Sequence, residues 1–102
     1  MRHEEFLVAS LLEDADLTLE RVAMACAVEH QWLLARVEEG LFPRARNVGG
    51  VWRLPGSSFA RVRRMRQIER DFEAVPELAA LVADLLEERD LLLVQLRSRA
   101  GE

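Results

Sequence analysis

Few side chains in this sequence suit covalent or metal chemistry: one cysteine, Cys26, and two histidines, His3 and His30. A soft-metal site needs several such ligands converging, and a reactive thiol needs a base or cation beside the sulfur. Neither pattern is present. Cys26 stands at helical spacing from Val22 and Ala23, which marks it as a core residue. Ser57 and Ser58 follow Pro55-Gly56 and read as helix caps, because no pattern places a base for either. Gly49-Gly50 reads as a turn, since it lacks the strand-loop-helix context of a phosphate cradle. Adjacent acids such as Glu87 and Glu88 read as a solvated helix face. The expectation is a protein that is not an enzyme, with no cofactor, no metal and no small-molecule substrate.

The residues that can do chemistry of another kind are the arginines. All 14 basic side chains are arginine and none is lysine. They concentrate in the middle: residues 1–40 carry net −6, residues 41–70 net +7 and residues 71–102 net −5. A basic middle between acidic flanks can face phosphate, or can pair with its own flanks and with a second chain. Arg44, Arg46 and Arg53, with Arg63 and Arg66, are the candidates for phosphate contact.

The chain of 102 residues is long enough for one modest core. Half of it is hydrophobic and about a third charged, a soluble globular or helix-rich balance. No apolar run approaches the ~20 residues of a membrane span, and MRHEEF lacks a signal-peptide pattern. A single cysteine cannot form an internal disulfide, which fits a reducing cytosol, so a cytoplasmic location is expected.

The elements that must position these residues follow from periodicity. EEFLVASLL (Glu4–Leu12) is a short apolar run that fits a strand or a helical turn, with an edge strand the favoured reading. Thr18 is placed to cap a helix carrying Leu19, Val22, Ala23 and Cys26. A break near Ala27-Val28 precedes a second helix with Trp32, Leu33, Arg36 and Val37, and Gly40 supplies its positive-φ end. Two short helices across a tight turn have helix-turn-helix dimensions. Pro43 stops the second helix, Asn47–Gly50 supplies turn residues and Val51–Leu54 alternates as a strand does, so this stretch predicts a wing. Trp52 is expected to pack on the next helix near Phe59, with an exposed interface anchor as the alternative. In that helix Phe59, Val62, Met65, Ile68 and Phe72 form the predicted buried stripe, with Arg61 and Arg64 beside it.

Pro76 then opens a helix that nothing interrupts to about Arg99. Leu78, Val82, Leu85, Leu92 and Leu96 occupy heptad positions, broken by Arg89, and Leu81, Leu86 and Leu93 widen the stripe. Such a helix of about 23 residues spans about 35 Å, more than the small domain before it. Its leucines therefore predict a homodimer through this helix. The expected organisation is a winged helix-turn-helix domain over 1–74 and a dimerisation helix over 75–102.

LTLERVA (Leu17–Ala23), AVEHQWL (Ala27–Leu33) and EEGLFP (Glu38–Pro43), in this order of parts, resemble the MerR-type winged-helix architecture. VWRLPGSSFARVRRMRQIERDFE followed by ELAALVADLLEERDLLLVQLR resembles more closely the chaperone modulator family, CbpM, over nearly the whole chain. LPGSS and Val75-Pro76 depart from that family's usual junctions. The resemblance implies a mainly α fold, a MerR-like winged helix-turn-helix with a small β wing and a long C-terminal helix. It also implies a protein that binds the J-domain of a DnaJ-like co-chaperone of the CbpA type. Binding would inhibit both the co-chaperone activity and the DNA binding of that partner. Because a J-domain presents a basic helix, acids should meet it. Asp14, Asp16 and Glu20 form one acidic patch. The favoured one lies at the junction of the last two helices: Glu69, Glu73 and Glu77 with Leu78 and Leu81.

The alternative is a MerR-like DNA-binding regulator. Its second helix should offer donors to base edges. DNA-binding MerR proteins carry an arginine where this chain has Leu34. Trp32 and Leu33 replace small polar residues, and Glu29, Glu38 and Glu39 oppose phosphate. Only His30, Gln31 and Arg36 remain as contacts, so DNA binding is the disfavoured reading.

Overall fold

A computed structural model describes residues 15–101 of the chain. The stretch Glu4–Leu12, expected as an edge strand, lies outside the described residues, as do His3 and Asp14. The elements are β1 (Asp16–Thr18), α1 (Leu19–Cys26), α2 (His30–Glu38), β2 (Arg46–Val48), β3 (Val51–Pro55), α3 (Phe59–Phe72) and α4 (Pro76–Ala100). The protein is mainly helical with a small three-stranded antiparallel sheet, in which β3 lies between β1 and β2.

Local chemistry accounts for most boundaries. The Thr18 hydroxyl accepts a hydrogen bond from the Arg21 amide at 3.4 Å and caps α1. Ala27 ends that helix in the left-handed region at φ 56°, and its amide and that of Val28 bond back to the Met24 and Ala23 carbonyls. Gly40, at φ 80°, turns the chain out of α2. The wing closes through Gly49 and Gly50, both at positive φ, between the paired residues Val48 and Val51. That is the backbone a two-residue hairpin turn demands, and the Asn47 side chain steadies it by accepting the Gly50 amide at 3.0 Å. Pro76 occupies the first turn of α4, where its missing amide costs nothing.

Two expectations about the entry to α3 need correction. Gly56–Ser58 forms a 3-10 turn, and neither serine caps α3 through its side chain. The Ser57 hydroxyl instead accepts from Arg44 Nη1 at 2.9 Å.

The core collects Leu19, Val22, Ala23 and Cys26 of α1, Leu33 and Val37 of α2, Phe42, Leu54 of β3 and Phe59, Val62 and Met65 of α3. Ala79, Ala80 and Ala83 of α4 complete it. The first turns of α4 thus share one core with the helix-turn-helix, across the boundary expected at residue 75. Phe72, expected in the buried stripe, is 75% exposed, because α3 runs past the end of the core there. Trp52 is half-buried and packs against the core cluster that contains Phe59, and it lines a cleft with His30 and Leu34 of α2.

Among the described residues, no helix is long and apolar enough to cross a membrane.

Candidate functional site

The second helix of the pair, α2, divides its side chains between the core and α3. Leu33 and Val37 point into the core. Trp32 and Arg36, one turn apart, face α3 and meet Glu69 there. Glu69 Oε1 accepts from Trp32 Nε1 at 3.1 Å and from Arg36 Nη2 at 2.8 Å, and Glu69 Oε2 accepts from Arg36 Nε at 2.9 Å. This two-pronged guanidinium–carboxylate geometry is the strong form of an ion pair. Burial pushes the Glu69 carboxyl up, but the bonds from Arg36 and Trp32 outweigh it and hold it below the ordinary carboxylate value. The same contact raises Arg36.

Arg66 approaches Trp32 from α3. Its guanidinium carbon lies 5.8 Å from the ring centroid and that of Arg36 lies 5.6 Å away, both within cation–π range. Arg66 Nε also donates to Glu29 Oε1 at 3.0 Å, and that hydrogen bond lowers the Glu29 pKa. Two of the cations that could have met phosphate are therefore closed on carboxylates of their own chain.

Arg46, Arg53, Arg61 and Arg64 of the basic middle also meet carboxylates. Arg61 is nearly buried: Nε and Nη2 donate to the Leu41 carbonyl, and Nη1 reaches Asp84 at 2.7 Å and Glu87 at 3.2 Å on α4. Arg64 bonds Asp90 at 2.6 Å and lowers its pKa through that hydrogen bond. On the wing, Arg46 and Arg53 converge on Asp16 of β1, at 2.9 and 3.9 Å. The middle of the sequence thus folds against its acidic flanks. Arg63 sits on the half-buried side of α3, beside a surface depression shared with Arg66 and Arg70.

The remaining predicted residues separate into two groups. Glu69, expected to meet a partner, has a side chain only 10% exposed and is engaged within the molecule. Glu73, Glu77, Leu78 and Leu81 are exposed at the junction of α3 and α4. Along α4, Leu78, Leu85, Leu92 and Leu96 are each about half exposed or more, whereas Val82 is half-buried. They lie on the side of the helix away from Ala79, Ala80 and Ala83.

A shallow cleft of 360 Å³ opens between α2 and the wing, lined by Thr18, Leu19, Glu20, His30, Leu34, Gly50, Val51 and Trp52. Among the described residues, no arginine lines it. The sequence signalled Leu34 and Trp52 separately but not their meeting, since they belong to different elements. Cys26 is buried with its thiol 3.9 Å from the Phe59 carbonyl. Among the described residues, no group of three or more His, Cys, Asp or Glu side chains could hold a metal ion. No family model, curated protein or solved structure matches the chain.

Proposed function

We propose that this chain is a non-enzymatic chaperone modulator. It binds the J-domain of a DnaJ-like co-chaperone of the CbpA type and holds that domain off both its chaperone and DNA. It works in the cytoplasm as a homodimer joined through α4. The observation that carries this reading is the face of α2 that would meet base edges. That face presents His30, Gln31, Leu34 and Glu38 without a single cation, while Arg36 and Arg66 are closed on Glu69 and Glu29. A helix that reads DNA needs donors there and a positive rim. An apolar and acidic face suits a protein surface with a basic helix.

The dimer is supported by the leucines of α4, which would otherwise leave a large apolar stripe in water. Titrating the purified J-domain of the same organism's DnaJ-like co-chaperone into the protein should release or absorb binding heat at micromolar concentrations. Silence in that calorimeter cell overturns the reading.

The DNA-binding alternative retains one favourable observation: Arg44 and Arg46 stay exposed on and beside the wing. It requires duplex affinity that collapses between about 50 and 200 mM salt and depends on those two residues. Our reading expects no sequence-specific binding in the same titration.

A further inference from the structure

We infer that the J-domain contact is made in the cleft between α2 and the wing, and that the cleft takes an amphipathic helix bearing a cationic side chain. This rests on the chaperone-modulator reading above. The floor is apolar: Leu34 of α2 and Trp52 of β3 are both half-buried, so each still shows part of its surface to a ligand. His30 stands one helical turn before Leu34, at the outer edge. Glu20, exposed in the first turn of α1, supplies the carboxylate of the rim.

Charge chooses the occupant. Among the described residues no arginine lines this cleft, and Glu20 is the acid that does. Phosphate or nucleic acid would meet a carboxylate where it needs a cation. A cation on a partner helix would complement Glu20, while apolar side chains of the same helix cover Leu34 and Trp52. The volume of 360 Å³ is near the lower end for small-molecule sites, and it matches a few side chains laid across an open groove. The rival surfaces fit less well. The acidic junction has lost Glu69 to Arg36 and Trp32, and the exposed leucine stripe of α4 suits a second copy.

The test is calorimetry of the purified J-domain against the full chain and three variants. Glu20→Lys changes an exposed side chain and should weaken binding about tenfold at low salt, as expected for a rim charge reversed against a cation, with a smaller effect at high salt. Leu34→Glu should weaken it about a hundredfold or more by placing a charge on the apolar floor. Glu73→Lys combined with Glu77→Lys should leave affinity unchanged. Circular dichroism checks that Leu34→Glu folds; if it does not, Glu20→Lys decides. Wild-type binding left intact by Glu20→Lys, or lost only in the Glu73→Lys, Glu77→Lys double variant, overturns the cleft assignment. Failure of the wild-type chain to bind the J-domain overturns the chaperone-modulator reading itself and takes the cleft with it.

Discussion

Glu69 ties the helix-turn-helix to α3 by accepting three hydrogen bonds, all from residues at least 33 positions away in sequence. Replacing it with Gln keeps the shape but removes the charge, leaving Arg36 partly unanswered in a poorly exposed place. Glu69→Gln should therefore lower unfolding stability by about 1–3 kcal/mol in a denaturant titration. J-domain affinity should not change, because the side chain faces inward. The same carboxyl sets an acid limit. Its folded pKa lies below the ordinary 4.5, so its stabilisation is complete above that value and is lost as pH falls through the folded value. Asp90, lowered from 3.8 by Arg64, acts the same way over a more acidic window. Melting temperature should thus decline as pH drops below about 4.5, with a shallower slope in Glu69→Gln. None of this was legible locally. An acid in an arginine-rich helix reads as a solvent-facing residue, and no spacing rule connects it to Arg36 on another helix.

The long helix α4 shows what periodicity can and cannot deliver. Its start at Pro76, its unbroken run and its polar breaks were all readable. Which side faces inward was not. Leucine outranks alanine on any hydrophobic scale, so the stripe drew attention to Leu78, Leu85 and Leu92, yet the buried residues are Ala79, Ala80 and Ala83. Close approach of two helix backbones needs small side chains, and Arg61 of α3 then spans the gap to Asp84 and Glu87. Ala83 is fully buried, so Ala83→Leu should overpack this seam and cost about 1–3 kcal/mol, measurable as a shift in the denaturation midpoint. Phe72 teaches the converse: it keeps the i, i+4 step from Ile68 but lies beyond what it could pack against. The Thr18 cap of α1 and the glycine-turned wing were legible because each depends on a few adjacent residues.

At the scale of the molecule, the described residues span 47 × 30 × 24 Å. The last ten residues of α4, Leu91 to Ala100, all remain exposed, with Leu91, Leu92, Leu93, Val94 and Leu96 among them. The proposed dimer would cover this stretch. Leu85→Glu with Leu92→Glu should give a monomer by sedimentation equilibrium at concentrations where the parent chain is dimeric. The helical signal per residue should be retained, since neither side chain belongs to the core. A monomeric parent chain at tens of micromolar would remove the dimer from the proposal. The three charge blocks of the sequence were plain from the start; that they cancel by folding onto one another became visible only in the ion pairs. Because every one of those pairs uses a guanidinium, which keeps its proton far into alkali, raising the pH strips no partner from any of them. The fold's electrostatic cement should consequently fail in one direction alone, dissolving in acid and enduring in base.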